Sequence, residues 1–317
     1  MACGGRSYEN ERELGPNAVN SASKFCIKHY IKLQKKFIGA MTLRLLMLEY
    51  LLIINKLSNM KAVILAGGLG TRLSEETNLK PKPMVEIGGK PILWHLMKMI
   101  SFYGINDFII CCGYKGYHIK EYFHNYHLRN SDITFNTENH SLKVHRAAKE
   151  KWNVTCVDTG EATLTGGRLK RVKEFLDPNE SFLFTYGDGL GTVDINALIK
   201  FHEDHGKLAT VTAVNPPGRF GMLTINENEE VVKFNEKPQH GTAWINGGFF
   251  ILNTGVINFI EHDQISWEEE PLREITQKNE LAAYKHSGFW QPMDTLAEKK
   301  YLDDLYCSGR APWKVWE

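Results

Sequence analysis

The chain has 317 residues, of which 43% are hydrophobic and 24% charged, a composition typical of a globular protein. Its 38 lysines and arginines nearly balance 37 aspartates and glutamates, so charge favours neither nucleic acid nor an acidic membrane as a partner. The six cysteines show no metal-ligand spacing. Cys111 and Cys112 lie in an apolar, strand-like run, which favours buried, reduced thiols and a cytosolic protein.

Residues 1–59 differ in character from the rest of the chain. A polar start is followed by a basic stretch over 24–36 and an apolar stretch over 37–54. That stretch begins too late for a secretory signal, and no small-residue cleavage site follows it. Its apolar side chains favour membrane insertion by roughly 4 kcal/mol, but Arg44 and Glu49 oppose it by roughly 5–6 kcal/mol. We expect a helical or disordered extension that is dispensable for activity; membrane contact through residues 37–57 is the alternative.

From Met60 onward, strand and helix patterns alternate. Strands are predicted over 61–66, 107–112, 132–137, 153–158, 182–186 and 208–214. Helices are predicted over 92–103, 117–129, 168–176 and 195–205. After Pro216 shorter strands follow, over 222–225, 231–234 and 249–252, with helices over 267–277 and 296–306. This order predicts an α/β fold, with a Rossmann-like, mostly parallel sheet flanked by helices and a smaller mixed lobe.

The first predicted strand ends in a glycine-rich loop. It contains three closely spaced glycines, Gly67, Gly68 and Gly70. Their backbone N–H groups can approach an anionic ligand closely. Arg72 follows the loop, and Lys82 adds a second cation between two prolines, an arrangement suited to the phosphates of a nucleotide. A Walker loop and a dinucleotide fingerprint are both disfavoured, because the Gly-Lys-Ser/Thr ending and the third, helix-starting glycine are missing.

Two aspartates are candidate metal ligands. Asp188 lies between glycines after a buried strand, where ligands bind in open α/β sheets. It could instead cap the next helix, but Asp194 is better placed for that. Asp294 precedes the last predicted helix, so capping and metal binding both remain open for it. Mg²⁺ takes one or two carboxylates together with phosphate oxygens and water, which this pair would provide.

Two further motifs carry charged side chains that could contact substrate. Thr165-Gly166-Gly167-Arg168 precedes basic residues, so a helix N-terminus there would attract an anion. A solvated basic face is the alternative. In Glu236-Lys237-Pro238, the carboxylate could accept hydrogen bonds from sugar hydroxyls and the lysine could hold a phosphate. An exposed pair in a turn is equally consistent with this motif.

The motifs together resemble the sugar-phosphate nucleotidyltransferases. LAGGLGTRL followed by KPKPMVEIGGKPIL is similar to the signature of that family, and the resemblance runs from Met60 to Glu317. The segments TGGRLKR, PPGRFG, WEEEPL, GFWQPMDT and APWKVWE resemble the members that use CTP and glucose 1-phosphate. The resemblance implies Mg²⁺-dependent formation of CDP-glucose and diphosphate by a cytoplasmic homo-oligomer, a hexamer in the relatives. It also implies a bacterial pathway to O-antigen sugars of lipopolysaccharide.

The resemblance also assigns roles to individual residues. Catalysis would rest on Arg72, Lys82 and Asp188, and Mg²⁺ would bind Asp188 and Asp294. The sugar phosphate would bind Glu236, Lys237 and Asn246. The nucleotide would contact Leu65, Ala66, Gly67, Gly68, Leu69, Gly70, Thr71, Arg72, Lys82, Thr163, Arg168 and Gly187. We therefore expect one nucleotidyltransferase domain over 60–317, with a nucleotide half over 60–216 and a sugar-binding half over 217–317.

Three alternatives remain at this point. The same reaction could use UTP or dTTP, because the choice of base cannot be derived from the residues. An inactive regulatory protein that binds nucleotide-sugars would be expected to lack Arg72, Lys82 or one aspartate, and all are present. An NAD(P)-dependent oxidoreductase is disfavoured by the missing fingerprint.

Overall fold

The structure is a computed structural model, and it describes residues 59–146, 150–216, 222–227, 229–235 and 243–316. All of these belong to the unit Asn55–Glu317. Two sequence predictions lie outside the described residues. One is the extension, apart from Asn59, together with its membrane-contact alternative over 37–57. The other is the assignment of Glu236 and Lys237 to the sugar phosphate.

The elements follow the predicted alternation of strand and helix. The strands are β1 (Lys61–Ala66), β2 (Glu86–Ile87), β3 (Lys90–Pro91), β4 (Asp107–Cys112), β5 (Asp132–Asn136), β6 (Ser141–Arg146), β7 (Asn153–Asp158), β8 (Ser181–Tyr186), β9 (Gly189–Gly191), β10 (Ala209–Val214), β11 (Met222–Ile225), β12 (Val231–Asn235), β13 (Ile245–Asn253), β14 (Leu281–His286) and β15 (Trp290–Pro292). The α-helices are α1 (Ser74–Thr77), α2 (Ile92–Phe102), α3 (Gly116–His124), α4 (Tyr126–Asn130), α5 (Thr165–Arg171), α6 (Ile195–His205), α7 (Glu270–Gln277) and α8 (Leu296–Cys307). Short 3₁₀ segments occur at Thr71–Leu73, Lys82–Met84, Lys173–Phe175 and Thr254–Phe259.

A seven-stranded sheet in the order β14-β10-β13-β8-β1-β4-β7 is the centre of the described fold. Within it, β13 alone runs antiparallel to its neighbours β8 and β10, and the other pairs are parallel. The predicted mostly parallel sheet is therefore confirmed. Strands β13 and β14, from the second half of the chain, pair into the same sheet as β1, so the two halves share one sheet.

The central strands are mostly apolar after their first residue because both faces of the sheet are covered. In β1, Ala62, Ile64 and Ala66 join the hydrophobic cluster on one face, while Val63 and Leu65 join the cluster on the other. A strand buried on both faces needs an unbroken apolar run rather than alternation. The same reason explains β4, where Cys111 and Cys112 are buried free thiols on opposite faces.

Three predicted helices differ from the observed ones. The helix predicted over 117–129 is divided into α3 and α4 at Asn125, whose backbone leaves the helical region. The helix predicted over 168–176 starts earlier, at Thr165, because Gly166 and Gly167 are helical rather than part of a loop. The helix predicted over 267–277 starts at Glu270, with Pro271 in its first turn. In the described part of the chain, no helix combines the length and apolar composition needed to cross a bilayer.

Candidate active site

The glycine loop and the Asp188 segment meet at one edge of the sheet. Strands β1 and β8 are parallel neighbours, with Leu65 paired to Tyr186, so the loops that follow them emerge side by side. The Gly187 N–H donates to the Leu65 carbonyl at 2.9 Å. A Cβ on Gly187 would lie 2.8 Å from that same oxygen, so only glycine permits this close approach.

A short ribbon brings Asp294 next to Asp188. Strands β9 and β15 pair antiparallel, with Pro292 opposite Gly189. The Met293 N–H then donates to the Asp188 carbonyl at 2.9 Å. The two aspartates thus become neighbours although 106 positions separate them in the chain.

The final helix is capped by Thr295, not by Asp294. The Thr295 side chain accepts from the Glu298 N–H, and the Glu298 side chain accepts from the Thr295 N–H, which forms a capping box. The capping alternative for Asp294 is therefore wrong, and its carboxylate points to the cations described next. Asp194, in contrast, caps α6 as predicted, accepting from the Ala197 N–H at 3.0 Å.

Lys82 joins the two aspartates. Its Nζ donates to Asp188 Oδ2 at 2.5 Å and to Asp294 Oδ1 at 2.6 Å. Arg72 Nη1 donates to the other oxygen of Asp294, Oδ2, at 2.7 Å. The Lys82 side chain is only 9% exposed, whereas the Arg72 side chain is 72% exposed. The buried cation is therefore fixed between two anions, and the exposed one can swing towards a ligand.

The electrostatics keep Lys82 charged. Burial by itself lowers the pKa of Lys82, but attraction and hydrogen bonds from Asp188 and Asp294 outweigh it, and the net pKa is raised above the ordinary value. Lys82 thus stays an ammonium at any pH near neutrality. The four charges of Arg72, Lys82, Asp188 and Asp294 balance, so an incoming phosphate or metal ion must exchange for one of these partners.

The glycine loop offers unused backbone donors. In the described ranges, no protein acceptor receives the N–H groups of Gly68, Leu69 or Gly70. Gly70 has φ 65°, and a Cβ there would lie 2.8 Å from the Thr77 side chain, so this turn requires glycine. A cavity of about 530 Å³ lies over the loop. Its lining includes all the residues predicted to contact the nucleotide: Leu65, Ala66, Gly67, Gly68, Leu69, Gly70, Thr71, Arg72, Lys82, Thr163, Arg168 and Gly187.

Arg168, a predicted nucleotide contact, lines this cavity, and its guanidinium is hydrogen-bonded to the surrounding protein. Its Nη1 donates to Thr159 Oγ1 at 2.7 Å and to the carbonyls of Gly160 and Cys112 at 2.7 and 3.3 Å. Its Nη2 donates to the carbonyls of Gly67 and Glu161, both at 3.0 Å. The residue is 4% exposed. Both terminal nitrogens therefore hold protein oxygens, and the guanidinium fixes the backbone of the glycine loop.

The N-terminus of α5 is not an open anion site, which corrects the sequence expectation. The N–H groups of Gly166 and Gly167 donate to the Ile265 carbonyl at 3.0 and 3.3 Å. A Cβ on Gly167 would lie 2.3 Å from the Asp263 carbonyl oxygen. The two glycines are therefore explained by the close crossing of the segment 263–265, which occupies the helix N-terminus.

A second cavity, of about 890 Å³, adjoins the first and shares Arg72, Tyr186 and Asp188 with it. Asn246, at the start of β13, lies in its wall, as do Trp290 and Glu268. Neither Tyr186 nor Glu268 was among the predicted site residues, although Glu268 is the first glutamate of the WEEEPL segment. The position of a carboxylate within a segment that resembles the family is the feature of the sequence that could have indicated Glu268.

Comparison with known proteins agrees with this geometry. The family model described as Nucleotidyl transferase matches residues 61–295. The chain is 62% identical over 258 residues to a glucose-1-phosphate cytidylyltransferase of Salmonella typhimurium, covering 81% of this chain and 100% of that protein. A probable glucose-1-phosphate cytidylyltransferase of Bacillus subtilis is 42% identical with the same coverage.

Among solved structures, HddC from Yersinia pseudotuberculosis superposes with a TM-score of 0.57 at 26% identity, over 78% of this chain and 99% of that one. The family match spans both loops of the site and both aspartates. On these grounds the chain belongs to the nucleotidyl transferase family.

Proposed function

We propose that the protein makes CDP-glucose and diphosphate from CTP and α-D-glucose 1-phosphate. One observation carries the proposal: Lys82 and Arg72 meet Asp188 and Asp294 beside the unused N–H groups of the glycine loop. That arrangement is suited to a triphosphate and a metal ion. The choice of CTP and glucose 1-phosphate is supported by the names of the relatives that share 62% and 42% identity with the chain.

The reaction needs no nucleophile from the protein. A sugar phosphate has a second pKa near 6, by analogy with phosphorylated side chains, and is mostly dianionic at pH 7. One of its oxygens attacks the α-phosphorus of CTP in line, and the bond to the diphosphate breaks on the opposite side. The protein therefore acts by positioning and by neutralising charge. Arg72 and the loop N–H groups hold the triphosphate, and Lys82 neutralises negative charge on the α-phosphate.

Mg²⁺ fits the carboxylates of this site. Asp188 and Asp294 each place an oxygen within hydrogen-bonding distance of the same Lys82 nitrogen, so their hard oxygen atoms face one point. Among the described residues, no group of three or more His, Cys, Asp or Glu side chains could enclose a metal. Two carboxylates completed by phosphate oxygens and water are the usual magnesium environment. Bound there, Mg²⁺ would neutralise charge on the phosphates and orient them.

The larger cavity is the proposed sugar site. Asn246 lies in its wall, and Asp188 and Arg72 lie where it meets the nucleotide cavity. The roles of Glu236 on the sugar and Lys237 on its phosphate rest on the family resemblance. A cytoplasmic homo-oligomer, hexameric as in the relatives, is proposed on the same basis. Neither nucleic acid nor a membrane is a proposed partner.

The test is diphosphate release from glucose 1-phosphate with ATP, CTP, GTP, UTP or dTTP, with and without Mg²⁺. We expect turnover with CTP that depends on Mg²⁺. A preference for UTP or dTTP would change the assigned base while keeping the reaction. An absence of turnover with all five nucleotides would favour a regulatory protein that binds nucleotide-sugars, although such a protein has no need to keep Arg72, Lys82 and both aspartates.

A further inference from the structure

Glu268 connects the walls of the two cavities through a chain of hydrogen bonds. Thr165 Oγ1 donates to Glu268 Oε2 at 2.5 Å, and Tyr186 Oη donates to Glu268 Oε1 at 2.5 Å. Asn246 Nδ2 in turn donates to Tyr186 Oη at 3.2 Å. These four side chains come from α5, the segment before α7, β8 and β13. We call them the Glu268 network.

The direction of each hydrogen bond in the network is fixed from both ends. The Trp267 N–H donates to Thr165 Oγ1 at 2.8 Å, so the Thr165 hydroxyl hydrogen is left for Glu268. The Gly248 N–H donates to Asn246 Oδ1 at 2.8 Å, which orients the amide so that its nitrogen faces Tyr186. A carboxylate only accepts, so the Tyr186 hydroxyl hydrogen must point to Glu268. The network therefore has one arrangement rather than several.

Unused hydrogen-bonding capacity remains on the cavity side. Asn246 Nδ2 keeps one N–H, Tyr186 Oη keeps an acceptor position, and each carboxylate oxygen of Glu268 keeps a lone pair. Tyr186, Asn246 and Glu268 all lie in the wall of the larger cavity. One donor beside several acceptors is the complement of adjacent hydroxyls on a sugar ring, since each hydroxyl can donate one hydrogen bond and accept others.

The ring of Tyr186 does not need Glu268 to stay in place. It packs edge-on against Phe184 and Phe250, and it contacts Gly248, where a Cβ would lie 2.7 Å from the ring. Glu268 itself is exposed, so its hydrogen bonds add little to folding stability. What Glu268 does determine is the direction of the Tyr186 hydroxyl hydrogen, which leaves a lone pair of that oxygen to accept from the Asn246 amide.

We propose that Glu268 is a positioning residue for sugar specificity, holding the Tyr186 hydroxyl and the Asn246 amide in the arrangement that recognises the ring hydroxyls of the hexose 1-phosphate. This inference rests on the proposed function, because it assigns the larger cavity to the sugar. A site built to pair with hydroxyls rejects analogues that lack one, since its own polar groups are then left unpaired.

The test compares Glu268→Ala with Glu269→Ala, a neighbouring variant that removes the same charge from an exposed side chain outside the network. Binding of glucose 1-phosphate and of its monodeoxy analogues is measured by calorimetry. The kcat and KM values are measured for glucose 1-phosphate and for CTP. For Glu268→Ala we expect glucose 1-phosphate to bind about 10–100-fold more weakly, as for lost hydrogen bonds to a charged group. CTP should be affected far less. The preference for glucose 1-phosphate over at least one deoxy analogue should narrow by a similar factor, and Glu269→Ala should match the wild type.

Tyr186→Phe provides a second, independent variant, because it removes only the hydroxyl and keeps the packed ring. If the two residues act as one unit, its effect and that of Glu268→Ala will not add in the double variant. Additive effects, or an unchanged preference among the analogues in Glu268→Ala, would overturn the inference.

Failure of the inference can be separated from failure of the proposed function. A wild-type chain that binds glucose 1-phosphate but releases no diphosphate would contradict the function, and the calorimetric data would still decide the role of Glu268. No binding of glucose 1-phosphate to the wild type would overturn both.

Discussion

Two buried cations flank the glycine loop, and they are held in opposite ways. Lys82 donates to the carboxylates of Asp188 and Asp294, whereas Arg168 donates to one hydroxyl and four backbone carbonyls. Within the described residues, Arg168 forms no salt bridge with a carboxylate. Attraction to the aspartates raises the pKa of Lys82 above its ordinary value, while burial lowers the pKa of Arg168.

We propose that the difference separates a cation that acts on the substrate, Lys82, from one that holds the backbone, Arg168. The partners of Lys82 are the carboxylates of Asp188 and Asp294; a phosphate can replace them on Lys82, and a metal ion can replace Lys82 on them, without breaking backbone hydrogen bonds. The partners of Arg168 are mostly backbone carbonyls of β4 and of the loops around it. Those of Gly160 and Glu161 have no other protein donor among the described residues, so they lose their partner if the guanidinium leaves. A Cβ on Gly67 would lie 2.1 Å from Arg168 Nη1, and one on Gly113 would lie 2.3 Å away. The glycine loop therefore packs directly against Arg168, and it lies beside the carboxylates that bind Lys82.

Lys82→Met gives the sharpest test of this contrast. The change keeps the length of the side chain but removes the cation, and we expect kcat to fall on the order of 10²–10³-fold, as when a charge-stabilising donor is lost. Lys80→Met is the matched control, because Lys80 lies in the same turn but pairs at 3.3 Å with Glu86 at the surface. The measurement is kcat for diphosphate release at saturating CTP and glucose 1-phosphate. Equal activity of the two variants would refute the role assigned to Lys82.

The local parts of this site could be predicted from the sequence. The glycine loop and Asp188 each follow an apolar strand directly, and β1 and β8 are neighbours in the sheet, so the motif and its place in the fold coincide. The start of the helix predicted over 195–205 also indicated that Asp194, and not Asp188, caps α6.

The long-range parts could not be derived from local sequence patterns, and the pairing of Asp294 with Asp188 was expected only from the chemistry of Mg²⁺ and the family resemblance. Asp294 reaches Asp188 through β9 and β15, strands of three residues that are too short to show any periodicity. The glycines before Arg168 were interpreted as an anion site, because nothing nearby in the sequence shows that residues 263–265 cross them. The Glu268 network was missed for the same reason, since its members come from four separate elements.

Asp294→Asn tests the magnesium proposal at one of the two carboxylates. Asparagine keeps the shape and one acceptor oxygen but removes the charge. We expect Mg²⁺ affinity to fall by at least about 10–100-fold, the range for losing a group that only hydrogen-bonds to a ligand, because Asp294 is proposed to be a ligand itself. The measurement is Mg²⁺ binding by calorimetry in the presence of CTP, together with the Mg²⁺ concentration for half-maximal turnover. Asp194→Asn is the control, since asparagine caps a helix as well as aspartate does. An unchanged Mg²⁺ requirement in Asp294→Asn would remove this residue from the metal site.

Of the three variants Lys82→Met, Asp294→Asn and Arg168→Lys, we expect Arg168→Lys to change turnover least and the free energy of unfolding most. A lysine donates at most three hydrogen bonds from one nitrogen, whereas the Arg168 guanidinium donates to five oxygens, of which the carbonyls of Gly160 and Glu161 have no other protein donor among the described residues. If both of these carbonyls lose their donor, at about 1–3 kcal/mol for each unpaired group, we expect the free energy of unfolding to drop by about 2–6 kcal/mol. Denaturant unfolding measures this change, with Arg171→Lys as the control, because Arg171 pairs with Asp263 at the surface.

The kinetics of the same variant decide between the two roles for Arg168. If the guanidinium acts only through the glycine loop, kcat of the folded Arg168→Lys enzyme stays close to that of the wild type, and any increase in KM for CTP parallels the loss of stability. A stable variant with a greatly increased KM for CTP would instead restore the direct nucleotide contact that the sequence resemblance implies. Lys82 and Arg168 would then both be ligand-binding cations, and the division between a reactive and a structural cation would fail at Arg168.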